Sequence, residues 1–211
     1  MVKKNTLSAA RAATLALAMF FMVPGAEGGE PPPLEGMFKD NFTLLESPVP
    51  APQTGFQDRS GATLVERITA AGHNAAAKVI VRDEQSDIVA QLRQWIADPG
   101  VDAVISTGGT GVTGRDVTPE AFHAVYEKEI AGFGELFRMQ SYQKIGTSTV
   151  QSRATAGVAG GTYLFAVPGS TGACKDAWDG ILKFQLDIRH KPCNFVELMP
   201  RLREHEATQD A

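Results

Sequence analysis

The chain of 211 residues has the length of one ordinary domain, and its 43% hydrophobic content supports a sizeable core. Its formal charge is −4 and its lysines and arginines are scattered, which argues against nucleic acid as a partner. Two cysteines, Cys174 and Cys193, fit neither a disulfide framework nor a metal-ligand spacing, and read as reduced thiols of a cytosolic protein.

Residues 1–57 differ in character from the rest of the chain. Lys3 and Lys4 precede an apolar run from Ala12 to Val23, and the small residues Gly25 and Ala26 come after it. That order describes a secretory signal, and the run is too short for a comfortable membrane span. Export is one reading; the other is a misplaced start or a frame disruption that attaches sequence foreign to the fold. Pro31, Pro32, Pro33, Pro48, Pro50 and Pro52 break any helix or strand period. The expectation is an N-terminal region that is largely disordered, with at most a short helix over the apolar run.

From Asp58 the pattern becomes regular. Ser60 is a candidate cap for a helix in which Leu64, Val65, Ile68 and Ala71 share a face, and Gly72 ends it. Ala75 to Val81 reads as a strand, and Asp83-Glu84 opens a helix with a stripe of Ile88, Leu92, Trp95 and Ile96. After Asp98-Pro99-Gly100, the run Val101 to Ile105 reads as a buried strand feeding Gly108-Gly109-Thr110-Gly111. Thr118 as N-cap and Pro119 at the first position then start a helix to about Tyr126. A further helix is expected from Gly134 to about Lys144, a turn from Ser148 to Arg153, and an apolar strand from Thr162 to Val167. The turn Pro168-Gly169-Ser170-Thr171 leads into a helix from about Ala173 to Ile188, and Pro192 to Leu202 forms one more short helix. Helices alternating with strands indicate an α/β layer with parallel strands, whose carboxyl edge is where ligands bind.

The glycine loop sits between a strand and a helix start, where glycines let backbone N–H groups turn outward toward an anion such as phosphate. Taken alone, GGTG equally describes close packing of helix on sheet. It is neither a P-loop nor a dinucleotide fingerprint, because no Gly-Lys-Ser/Thr and no G-x-G-x-x-G spacing occurs. Asp116 is either a capping group or a carboxylate that holds a divalent cation against the phosphate, and Arg115 is an exposed charge or its ion-pair partner. Asp83 also follows a strand, so both carboxylates face the same edge and together can hold Mg²⁺. The four histidines show no ligand spacing, and Ser170 and Thr171 read as caps rather than nucleophiles. The helix holding Phe133, Phe137 and Tyr142 is the candidate interface.

The run TGGTGVTGRDVTPEAF, with PGSTGAC from Pro168 to Cys174 and PCNFVELMPRL from Pro192 to Leu202, resembles the molybdenum cofactor biosynthesis protein B family of the MoaB/MogA type. The resemblance covers about Asp58 to Leu202 and divides the chain into 1–57, a domain over 58–202, and a flexible tail over 203–211. It implies a three-layer α/β/α sandwich with a mostly parallel sheet, forming cytoplasmic homotrimers or hexamers. It implies transfer of AMP from Mg-ATP to molybdopterin, or, in a non-catalytic branch, molybdopterin binding alone. Carried over by position, Gly108, Gly109, Thr110, Gly111, Thr113 and Arg115 bind the pterin phosphate region. Pro168, Gly169, Ser170 and Thr171 line the pocket, and Asp116 and Asp83 serve catalysis and the metal. One departure stands out. The family's first strand should lie just before Asp58, where Ser47 to Gln57 is too proline-rich for a central strand. The expectation is a missing first strand, with lower stability and an inactive or chimeric member as consequences.

Overall fold

A computed structural model describes residues 16–23 and 58–205; for 16–23 it describes the backbone alone. The order is β1 (Ala16–Val23), α1 (Arg59–Ala70), β2 (Asn74–Arg82), α2 (Gln85–Ile96), β3 (Ala103–Thr107), α3 (Thr118–His123), β4 (Lys128–Glu129) and α4 (Ala131–Ile145). After a 3₁₀ turn at Gly146–Gln151 come β5 (Thr155–Ala159), β6 (Thr162–Val167), α5 (Thr171–Ala177), a π-helical turn at Trp178–Leu182, α6 (Lys183–Gln185) and α7 (Phe195–Leu198).

The strands form one sheet in the order β2-β1-β3-β6-β5-β4, with β2, β1, β3 and β6 mutually parallel and β5 antiparallel to β6. Alternation along the strands builds two cores. Ala103 and Ile105 of β3 and Tyr163, Phe165 and Val167 of β6 face α1, α4 and α5, meeting Leu64, Ile68, Phe133, Phe137 and Trp178. Val104, Leu164 and Ala166 face the other way, onto Ile88, Leu92 and Trp95 of α2 and Phe122 of α3. The three-layer α/β/α sandwich with a mostly parallel sheet is therefore the observed fold.

The largest correction concerns the N-terminal run. Ala16–Val23 is neither helical nor outside the fold. It is a strand between β2 and β3, paired in parallel with both, from Ala16 opposite Asn74 to Val23 opposite Arg82 and from Leu17 opposite Ala103 to Phe21 opposite Thr107. The first strand expected to be missing is thus supplied from an earlier place in the chain. An unbroken apolar run is what a strand covered on both faces requires, and periodicity alone does not distinguish it from a signal core. The proline-rich stretch 24–57, the expectation of disorder there and the end of the tail lie outside the described residues.

Smaller corrections have local causes. The cap of α1 is Asp58, whose carboxylate accepts from the Gly61 amide at 2.9 Å, while Ser60 lies inside the helix and donates to Asp58. Helix α3 ends at His123 and has Val117 at its cap, because the Thr118 hydroxyl is drawn back to the glycine loop. The last long helix is broken by the π-helical turn and ends at Gln185. Phe133 and Phe137 are core residues, so the outward face of α4 consists instead of Leu136, Met139, Tyr142 and Ile145, the last three more than half exposed. Among the described residues, no helix is long and apolar enough to cross a membrane.

Candidate anion-binding site

Because β2, β1, β3 and β6 run in parallel, the segments that follow them emerge at one edge of the sheet: Asp83 after β2, Gly108 after β3 and Pro168 after β6. The last two are joined directly. The Gly108 amide donates to the Val167 carbonyl at 3.0 Å, and the Thr107 hydroxyl donates to the Pro168 carbonyl at 3.1 Å. A Cβ on Gly169 would stand 3.1 Å from the Gly108 Cα, so this close approach of two backbones requires a glycine. Gly108 and Gly109 adopt φ of 107° and 60°, which side chains disfavour.

Each of the four GGTG carbonyls is tied back to the body of the protein. The Thr118 hydroxyl donates to Gly108 at 2.9 Å and the Thr118 amide to Gly109 at 3.1 Å. The Arg153 amide donates to Thr110 at 2.9 Å, and the Arg153 Nε donates to Gly111 at 2.6 Å. In a planar trans peptide the N–H points opposite to the preceding C=O. Anchoring these carbonyls therefore turns the amides of Gly109, Thr110 and Val112 the other way, the arrangement of an anion nest, while the Gly111 backbone bonds the Asp116 carboxylate.

Asp116 closes the loop rather than capping α3. One of its oxygens accepts from the Thr113 amide at 2.8 Å and from the Thr113 hydroxyl at 2.6 Å. Burial pushes this carboxyl up, but the Thr113 hydrogen bonds, the Gly111 backbone and the Arg153 charge outweigh it and hold Asp116 below its ordinary value. Asp83 moves in the opposite direction. Burial raises it, Arg115 partly offsets this, and the charges of Asp116 and Glu84 raise it further. Its Oδ1 is buried and has no hydrogen-bond partner among the described residues. The structure thus brings Asp83, Arg115 and Asp116 within electrostatic reach of one another.

A cavity of about 950 Å³ opens beside the loop. Thr110 and Gly111 form one wall and Pro168, Ser170 and Gly172 another; α4 and its following turn add Gln140, Lys144, Ser148 and Thr149. Lys144 is paired with Asp176 of α5 across it. Ser170 is the cap of α5, its hydroxyl accepting from the Ala173 amide at 3.1 Å. Cys174 lies behind the second turn, against the Thr107 hydroxyl, and burial pushes its thiol up to about 11, which leaves it unreactive.

Sequence reasoning did not single out the cavity wall from α4 or the side chain of Arg153. No local spacing announces that arginine, because its acceptors lie 33, 37 and 42 residues away along the chain.

The family model described as "Probable molybdopterin binding domain" matches residues 45–188, beginning inside the proline-rich stretch. Molybdenum cofactor biosynthesis protein B of Escherichia coli K12 is 51% identical over 138 residues, which is 65% of this chain and 81% of that protein. The crystal structure of a molybdenum cofactor biosynthesis protein B matches with a TM-score of 0.67 at 31% identity, over 92% of this chain and 99% of that one. The tungsten cofactor synthesizing protein MoaB of Pyrococcus furiosus matches with a TM-score of 0.61 at 29% identity, over 81% of this chain and 91% of that one. With a family model covering most of its length and a fold shared with MoaB structures, this chain belongs to the molybdopterin-binding domain family of MoaB/MogA type.

Proposed function

We propose that this protein acts in molybdenum cofactor biosynthesis, binding molybdopterin at the glycine loop and transferring AMP to it from Mg-ATP. The observation that carries the reading is the GGTG loop at the mouth of the cavity, its four carbonyls anchored inward, which leaves the Gly109, Thr110 and Val112 amides to face a ligand. The nest suits the terminal phosphate of molybdopterin, and the cavity beside it suits the pterin.

The two aspartates fit a magnesium ion. Mg²⁺ is commonly held by one or two carboxylates plus substrate phosphates, and Asp83 offers a buried oxygen without a partner among the described residues. Asp83 and Asp116 would hold the ion, which when bound neutralises charge on the phosphates.

A phosphate oxygen of molybdopterin attacks the α-phosphorus of ATP, a new P–O bond forms, and the bond to pyrophosphate breaks. The chain's own residues position these groups: the loop amides orient the attacking phosphate, and the PGST turn walls the pocket. No protein nucleophile is needed, in keeping with Ser170 serving as a cap and Cys174 remaining a neutral thiol. The test is pyrophosphate release that requires both molybdopterin and Mg-ATP. Pterin binding without release would instead identify the non-catalytic branch.

The pH dependence follows from Asp83. Its folded pKa is raised, so it takes up a proton at a higher pH than a free aspartate, and only the carboxylate binds the cation. Apparent Mg²⁺ affinity should therefore fall as pH drops through the region above about 4, the ordinary carboxylate range, and the acid limb should disappear in Asp83→Asn. Magnesium titrations of pyrophosphate release from pH 7 downward measure this. An acid limb confined below the ordinary range would exclude Asp83 as the metal ligand.

The apolar outer face of α4 is assigned to assembly as a homotrimer or hexamer, in a cytoplasmic setting suited to free thiols. Sedimentation equilibrium should show the oligomer dissociating when Met139 and Ile145 are both changed to Lys. An unchanged mass would place the interface elsewhere.

A further inference from the structure

We infer that Arg153 is a positioning residue that locks the glycine loop into its anion-binding form. This rests on the reading of the loop as a phosphate nest. The guanidinium spans three acceptors at once: Nε donates to the Gly111 carbonyl at 2.6 Å, Nη2 to the Asp116 carbonyl and Nη1 to the Glu120 carboxylate. Its backbone amide holds the Thr110 carbonyl at 2.9 Å. Arg153 therefore clamps the head of the loop at Thr110 and Gly111, its tail at Asp116 and the first turn of α3 at Glu120.

The clamp acts through peptide geometry. Holding the Gly111 and Asp116 carbonyls fixes the planes that carry the Val112 and Val117 amides. The clamp also fixes the stretch from which the Asp116 carboxylate closes back onto Thr113. Only a planar fork with several donors makes this span; a lysine at the same place reaches one acceptor at a time. The side chain is one-third exposed and lines a second, smaller cavity of about 440 Å³ bounded by Val112, Thr113, Asp116 and Glu120. Guanidinium ion from solution therefore has access to the space that the side chain would vacate.

Calorimetric titration of the full chain with inorganic pyrophosphate, with and without added guanidinium, tests the proposal alongside the melting midpoint. Arg153→Ala should weaken pyrophosphate binding about 30-fold, the scale of losing charge-assisted hydrogen bonds that hold a site together. Added guanidinium should restore at least about 5-fold of that loss, and Arg153→Lys should stay near the alanine variant, because charge without the fork cannot span the acceptors. Glu120→Gln, which weakens one anchor and leaves the arginine in place, should cost a few-fold and keeps the proposal testable if the alanine variant does not fold.

Equal pyrophosphate binding by wild type and Arg153→Ala overturns the inference alone. Lysine restoring full affinity overturns it too, since Arg153 would then act as a charge on the ligand. Absence of pyrophosphate binding by the wild type overturns the phosphate reading of the loop, and this inference with it.

Discussion

Asp116→Asn is expected to lower turnover by about 10³-fold while leaving molybdopterin affinity within a few-fold of wild type, the pattern for a group whose charge matters in the transition state. Asparagine keeps an oxygen that accepts from the Thr113 amide and hydroxyl, so the loop closure survives the change. What disappears is the negative charge, held ionised by the Thr113 hydrogen bonds, the Gly111 backbone and Arg153 against the cost of burial. Without it, a magnesium ion would lose one of the two carboxylates proposed to hold it, and with it the charge neutralisation the ion would supply at the phosphates. Pyrophosphate release and pterin fluorescence titration, made on the same preparation, separate the two effects. Turnover within tenfold of wild type would remove Asp116 from the chemistry. A parallel loss of binding would make it part of the loop's scaffold only.

The second large effect concerns β1. Met19 lies in a strand bonded on both sides, opposite Lys78 of β2 and Ile105 of β3. Met19→Pro removes an amide donor from the interior of the sheet, where proline is confined to edges and bulges, and should lower the unfolding midpoint markedly. Deleting residues 1–23 should abolish cooperative unfolding, because β2 and β3 then lose the strand between them. Urea midpoints followed by circular dichroism decide the matter, and a Met19→Pro midpoint equal to wild type would show that Ala16–Val23 does not pair in the sheet. The same placement bears on the export reading. Cleavage near Ala26 would excise β1, so the run cannot serve as both a removed signal and a sheet strand.

Much of the fold was legible from Asp58 onward because burial there follows simple periods. Ile88, Leu92 and Trp95 recur at helical spacing and are buried in α2, and the continuous run Thr162–Val167 is buried throughout in β6. β5 was not legible, since Thr-Ala-Gly-Val-Ala carries little strand propensity; Gly157 is small because the Tyr126 ring lies against it. β1 misled because an apolar run after two lysines satisfies the signal pattern as well as the strand pattern, and pairing across the chain decided between them. In the candidate site, the two loops at one sheet edge followed from strand–turn–helix order. The role of Thr118 did not. It reads as a helix cap, yet its hydroxyl is recruited by the Gly108 carbonyl, a contact made by the folding of the loop rather than by local spacing. Arg153 shows the same limit over a longer distance, since three separated acceptors converge on it only in the folded chain.

On the proposed function, the amides of the GGTG loop receive the terminal phosphate of molybdopterin. A ³¹P-NMR titration of molybdopterin with the full chain, beside Gly109→Val, tests it most directly, since a side chain at a φ of 60° is disfavoured in the middle of the nest. The expected result is a shifted and broadened phosphate resonance with wild type that is lost in Gly109→Val. A phosphate resonance left unperturbed by wild type while pterin fluorescence reports binding would contradict the claim, placing the ligand in the protein with its phosphate away from the loop.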